Sequence, residues 1–326
     1  MDAAAVDAAA VDAALSARSW ITVQPTTNPG RLYAPQLAYW SVEEKVLLYG
    51  GRKADSTLSA ETWTYDGETW ERLCSDCPPG PRLGHNLVLD QTRDVIVLFG
   101  GQTGSGLSNE IWELDEGGTW HEVTPTGTPP SPRLGAFMAF DPVRGRTVLF
   151  GGLEQGDTRV DDLFEYDGSA WYALTPDPRP LARKTYGSSA AFVDAEALAA
   201  DMRNRVVICG GDVAGGTMVD ECWAWDGADW TRTCTACTGT ARGGAVLGYD
   251  PTYGRLVMAN GWTGTASIAG TVEHDGDSWV KTSSLPTARD NSGIAYDPAR
   301  DRFVVYGGNA PSCAWVCDET LEYVVP

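Results

Sequence analysis

A double glycine recurs as Gly50-Gly51, Gly100-Gly101, Gly151-Gly152, Gly210-Gly211 and Gly307-Gly308, with Asn260-Gly261 as a further copy, so successive copies lie 50, 51, 59, 50 and 47 residues apart. A tryptophan keeps step as Trp20, Trp70, Trp120, Trp171, Trp230 and Trp279. Two independent markers therefore give six units. Repeats of about 50 residues build solenoids, propellers or arrays, because one unit cannot bury its apolar face alone.

Within a unit, an apolar run such as "HNLVLD" is followed by "VIVLFGG", then "NEIWELD" and "TWHEVTP". Each run is short and rich in β-branched and aromatic residues, so each unit reads as four strands. Asp-Gly pairs in "YDGETW", "YDGSAW", "WDGADW" and "HDGDSW" predict tight hairpins between the third and fourth strands, since such turns need residues that tolerate positive φ. The glycines after strand two fit a backbone crowded near an axis, where a Cβ has no room.

The Gly-Gly pair, the aromatic of "NEIW" or "DDLF" and the closing Trp, in register from Ser19 to Pro326, resemble the kelch family. The resemblance implies an all-β fold, a six-bladed β-propeller over 19–326. The chain opens with a fourth strand, "SWITV", and finishes with a third, "DETLEYV", so the N-terminal strand is expected to complete the last blade and close the ring. Function does not follow, because the family includes protein-binding modules, carbohydrate-active enzymes and a copper oxidase.

A net charge of −20 opposes nucleic-acid and anionic-membrane partners, which call for a basic footprint. No apolar run is long enough to span a bilayer. Residues 1–18, which open "MDAAAVDAAAVDAAL", are expected to form an Asp/Ala-rich disordered tether; they lack the basic start and apolar core of a signal peptide. The segment looks like linkers that follow the lipidated cysteine of some bacterial surface proteins, with the leader absent. The eight cysteines fall into the near pairs Cys74/Cys77, Cys209/Cys222, Cys234/Cys237 and Cys313/Cys317. The two C-x-x-C motifs lie in units one and four, on opposite sides of a ring, so one zinc cannot join them. Local disulfides are the preferred reading. They place the chain in an oxidising compartment: secreted, periplasmic or lipoprotein-tethered at a bacterial surface.

The loops between strands two and three and the links between units are the long ones and share a face, where binding residues normally sit. An arginine recurs before the innermost strand as Arg82, Arg133, Arg242 and Arg289, with Arg31 and Arg183 in the same links at shifted spacing. Such a ring would make a positive mouth on a negative body, suited to bidentate capture of anions. The alternative is that these arginines brace adjacent units. Trp262 and Trp315 fall in loops of this face and suit stacking on a sugar or anchoring a partner.

Histidine is scarce. His121 and His274 read as structural, and His85 is the one near the axis. A copper oxidase needs a His and Tyr ligand cluster that this chain does not supply. His85, Asp290 and Asp212 are the weak catalytic candidates. His85, Asn291 and Asp290 are those for a divalent cation such as calcium or zinc in the central channel. The reading that emerges is a monomeric propeller binding an anionic small molecule, glycan or peptide at its axial mouth. The alternative is a propeller hydrolase of an anionic or phosphoester-like substrate.

Overall fold

The β-branched and aromatic runs pair into six antiparallel meanders in the computed structural model, which describes residues 18–324 except Ala195, Leu198 and Thr238. From the innermost strand outward, sheet 1 comprises Gln36–Trp40, Lys45–Tyr49, Thr62–Tyr65 and Trp70–Cys74. Sheet 2 comprises Asn86–Asp90, Val95–Thr103, Gly106–Leu114 and Trp120–Val123, and sheet 3 Phe137–Asp141, Arg146–Phe150, Leu163–Tyr166 and Ala170–Leu174. Sheet 4 comprises Ala190–Val193, Arg205–Cys209, Cys222–Trp225 and Trp230–Cys234, and sheet 5 Val246–Asp250, Arg255–Ala259, Ile268–His274 and Trp279–Arg289. Sheet 6 takes Gly293–Asp297, Arg302–Tyr306 and Thr320–Val324 from the C-terminal end and Ser19–Val23 from the N-terminal end, with Trp20 opposite Tyr323. The expected tether lies outside the described residues apart from Arg18.

The innermost strands pack side by side in chain order, and the sixth lies against the first. Each hydrophobic cluster among the described residues lies between two neighbouring sheets, sheet 6 with sheet 1 included. The repeated tryptophans explain themselves here. All six are buried. Trp20 donates its Nε1–H to Thr271 at 2.8 Å, Trp70 to Thr320 at 2.9 Å and Trp120 to Thr62 at 3.1 Å, so each tryptophan docks on the sheet before its own. His274 meets the Trp279 ring edge-on at 5.4 Å, in the place where Tyr65 stacks on Trp70.

On the face opposite the long loops, sheets 2, 3 and 6 share a second brace. Asp90, Asp141 and Asp297 end their innermost strands and accept backbone N–H groups of the following turn. Each also accepts from the arginine three residues on: Arg93 at 2.7 Å, Arg144 at 2.8 Å and Arg300 at 2.7 Å. The same guanidiniums reach Glu113, Glu165 and Glu322 on the third strands. Those glutamates in turn accept from Tyr166, Trp225 and Tyr65 of the following sheet. Sheet 5 keeps Asp250 and Glu273 but carries Tyr253 where the arginine should be. Arg18, 6% exposed, inserts its guanidinium between Asp250 and Glu273 and over the Tyr253 ring.

Cysteines pair as Cys74–Cys77, Cys209–Cys222, Cys234–Cys237 and Cys313–Cys317. The insertion at 194–204 buries Ala197, Ala199 and Met202 in the cluster between sheets 4 and 5 and holds a short 3-10 turn, Ala200–Met202. No helix among the described residues is long and apolar enough to cross a membrane.

Candidate functional site

The arginines that precede the innermost strands turn inward rather than toward the mouth. Arg82, Arg133, Arg183, Arg242 and Arg289 are at most 2% exposed. Each donates to the carbonyl of the first residue of its own glycine pair: Gly100, Gly151, Gly210, Asn260 and Gly307, at 2.7–3.1 Å. Four also bond a carboxylate on the third strand, Glu110, or on the residue just before it, Asp162, Glu221 and Glu319. The second residue of each pair then donates its N–H to the carbonyl of the next sheet's arginine, as from Gly51 to Arg82 and from Gly261 to Arg289. Gly308 closes this series on Leu32, which shows that Leu32 holds the arginine position in sheet 1. Arg31 is one residue out of register and exposed.

The glycine pair is required by this arrangement. A Cβ on Gly151 would lie 2.6 Å from the Arg183 carbonyl oxygen, and both glycines of that pair have positive φ. Burial pushes the Arg242 guanidinium down to about 10, because sheet 5 offers it the Gly270 carbonyl in place of a carboxylate. For Glu110 and Glu221, burial works against ionisation, but the bonds and charge of Arg82 and Arg183 outweigh it. Both carboxyls are held below the ordinary range.

With the constant positions used for bracing, the mouth is built by those beside them. The residue after each brace position bridges the residue after each glycine pair. The bridges are Tyr33 with Arg52, Leu83 with Gln102, Leu134 with Leu153, Lys184 with Asp212, Gly243 with Trp262 and Asp290 with Asn309. Sheet 3 thus presents two leucines and sheet 2 the buried Leu83 with an exposed Gln102, whereas sheets 4, 5, 6 and 1 present mostly polar and aromatic groups. A cup of about 300 Å³ opens on that second side. Tyr33, Lys184, Tyr186, Asp212, Met218, Trp262, Asp290, Asn291 and Asn309 are among its walls.

Asp290 is 2% exposed and accepts from Ser267, Asn291 and Asn309. Burial raises its carboxyl above the usual range against the pull of those bonds, and no cation among the described residues reaches it. Asp212 differs. It is gripped by Arg159 at 3.0 Å and has Lys184, the cation of the cup wall, at 3.6 Å. The apolar contribution comes from the rings of Tyr33, Tyr186 and the 37% exposed Trp262, with Met218.

Of the candidates read from sequence, Asp290, Asn291, Asp212 and Trp262 come together in the cup. His85 does not line it. It is 1% exposed, edge-on to Tyr49 at 5.4 Å, and burial pushes its imidazole down to about 3. Trp315 lies outside the cup, 64% exposed within the Cys313–Cys317 loop. Among the described residues the one close group of three His, Cys, Asp or Glu ligand atoms is Cys313, Cys317 and Glu319, where the sulfurs are bonded to each other. Tyr33, Lys184, Tyr186, Met218 and Asn309 are missed by a search for constant residues. For Tyr33, Lys184 and Asn309 the signal is variation within two columns of a repeat whose neighbouring columns are fixed; Tyr186 and Met218 lie outside those columns.

The solved structure of YjhT superimposes with a TM-score of 0.69 over 91% of this chain and 96% of its own, at 14% identity, a likeness of fold alone. The serine/threonine-protein phosphatase BSL2 of Arabidopsis thaliana is 28% identical over 215 residues, 62% of this chain and 20% of that protein. Dynein regulatory complex subunit 7 of Chlamydomonas reinhardtii is 36% identical over 117 residues, 34% of this chain and 10% of that protein. The chain thus matches a fifth or less of the length of these two relatives. The family model described as the KLHDC2/KLHL20/DRC7 Kelch-repeats domain matches residues 10–194, more than half of the sequence, and the chain belongs to the kelch-repeat family.

Proposed function

We propose that the chain is a six-bladed propeller, closed by its N-terminal strand, that binds a hydroxyl-rich small ligand, a glycan, in the cup at its axial mouth. The cyclic order of innermost strands and the pairing of Trp20 with Tyr323 support the ring. The observation that carries the ligand class is Asp290: a carboxylate in the cup wall, flanked by Asn291 and Asn309 and without a cation, is a hydrogen-bond acceptor for hydroxyl groups. Aromatic rings beside it suit the C–H faces of a sugar. Of the ligands expected from sequence, an anion is less well served, because the mouth arginines are bonded internally and Arg159 and Lys184 share Asp212. The cysteine pairs support an exported protein.

Titration with a panel of neutral and acidic saccharides, followed by Trp262 fluorescence, should give a saturable change that is absent in Trp262→Phe. Asp290→Asn should weaken it tenfold or more, as expected for a charge-assisted hydrogen bond of about 1.5–3 kcal/mol. Binding of phosphates or dicarboxylates alone, unaffected by Asp290→Asn, would overturn the reading. A hydrolase acting on the same ligands is the second reading. It draws on the raised Asp290 carboxyl, which keeps a proton to a higher pH than an ordinary aspartate and so is suited to donate one.

A further inference from the structure

The entry to the innermost strand is longer in sheet 4 than in the other five. From the brace position to the strand residue paired beside the glycines is four residues in sheets 1, 2, 3, 5 and 6: Leu32 to Gln36, Arg82 to Asn86, Arg133 to Phe137, Arg242 to Val246 and Arg289 to Gly293. In sheet 4 the corresponding residue is Ser189, whose carbonyl accepts from the Cys209 N–H, six residues after Arg183. The extra length falls on the axis. The Tyr186 ring lies against Gly84 of the sheet 2 entry, where a Cβ would sit 3.3 Å from Tyr186 Cδ1, and 6.4 Å from the Tyr33 ring of the sheet 1 entry.

Below that ring the same segment crosses the channel. Gln36 of sheet 1, the sheet opposite sheet 4 in the cyclic order, donates its Nε2–H to the Tyr186 carbonyl at 3.3 Å. Its Oε1 accepts from Ser188 Oγ at 2.9 Å. Gly187 permits this path, since a Cβ there would lie 2.0 Å from the Ala245 carbonyl oxygen. Tyr186 lines the cup above, whereas Gln36 and Ser188 line a separate, largely apolar funnel of about 450 Å³ that opens to the other face.

We infer that this two-residue insertion makes the mouth a blind cup whose floor, Tyr186, restricts the ligand to the terminal unit of a glycan chain, bound end-on. The inference rests on the glycan reading above and adds size and direction to it. At about 300 Å³ the cup stands at the small end of ligand sites, enough for one sugar ring. A chain threaded along the axis would meet Tyr186 and the Gln36–Ser188 tie, and an internal unit would have no exit for its second neighbour. Tyr186 is therefore a specificity-determining residue, and Asp290 and Trp262 are the groups that hold the unit it admits.

The test is an array of immobilised glycans probed with the whole chain. Bound glycans should share one terminal unit, and capping that unit with a further sugar should weaken binding at least tenfold. Tyr186→Ala lowers the floor, and should bring capped glycans to within about threefold of uncapped ones. Deleting Tyr186 and Gly187 restores the four-residue entry and should do the same if the variant folds. Binding of internal units by the parent, or an unchanged tenfold preference in folded Tyr186→Ala, overturns the end-on inference while the glycan reading stands. Absence of any bound glycan on the array, with phosphates bound instead, overturns the glycan reading itself.

Discussion

Sheets 2, 3 and 6 carry a complete charge brace at both faces, whereas sheet 5 carries half of each. At the mouth face its Arg242 faces Gly270, where the other three have Glu110, Asp162 and Glu319. At the other face its Asp250 and Glu273 lack the arginine that Arg93, Arg144 and Arg300 supply elsewhere. The first gap is left to backbone carbonyls. The second is filled by Arg18, from the segment just before the strand that completes sheet 6. A repeat can therefore lose a bracing residue where another part of the chain reaches the gap, and at this site the replacement ties the N-terminal strand to sheet 5 as well as to its own sheet.

The largest effect should come from removing the closure itself. Deleting residues 1–25 strips Trp20, Arg18 and a whole strand and should abolish cooperative unfolding, while deleting 1–16 should leave the melting temperature within a degree or two. Equal stability of the two truncations would show that the closure is not what holds sheet 6. Next, Arg18→Ala leaves Asp250 and Glu273 buried together without their cation, which should cost roughly 3–5 kcal/mol by chemical denaturation. Tyr253→Arg in that background rebuilds the arrangement of sheets 2, 3 and 6 and should recover a substantial part. No recovery in a folded double variant would mean that Arg18 acts through packing on Tyr253 and Tyr323 instead.

A smaller effect is expected at the mouth face. Glu221→Gln leaves Arg183 buried with a weaker partner and should lose about 1–3 kcal/mol. Gly270→Glu offers Arg242 the carboxylate it lacks, in a place where a Cβ meets nothing within 4 Å, and should gain up to about 1 kcal/mol. A loss on Gly270→Glu would show that sheet 5 has a reason to exclude the acid.

The finest test is pH. His85 is neutral in the fold with its imidazole at about 3, so below its unfolded value of about 6.5 the unfolded chain binds the extra proton. Stability should fall as pH drops from 6.5 toward 3, and His85→Leu should flatten the upper part of that limb. Glu110 and Glu221 are depressed, so their contribution is present above about 4.3 and is lost below it. Glu221→Gln should reduce the loss in that lower range. Gly270→Glu should enlarge it if the new carboxylate pairs with Arg242.

Much of this molecule is legible in its sequence. The spacing of the glycines and tryptophans marks the strands and turns, because each holds a position that recurs at the same depth of packing: Gly151 against a neighbouring carbonyl, Trp70 against Thr320. Three of the four cysteine pairs are legible for a different reason, since three or four residues of separation leave few other partners. Of the channel candidates, Asp212, Asp290 and Asn291 meet in the cup with the loop residue Trp262, whereas His85 and Trp315 do not line it. The arginines were found in the right links, but their direction was not readable, because a guanidinium before an inner strand can serve the mouth or the carbonyl of the next glycine equally well. Contacts inside the fold decide between those uses.

Sequence by itself determined the repeat, its strands and the columns that must not vary, since these depend on local chain geometry and on sterics that every unit meets alike. Only the tertiary structure decided what differs between units. It turned five arginines inward and brought Arg18 to a gap more than 230 positions away along the chain. It also laid the longer fourth entry, Tyr186 to Ser188, across the axis to Gln36. The physical reason is the packing of the innermost strands side by side: residues distant in sequence share one small volume there, and which of them meet is set by how the sheets pack rather than by any local pattern.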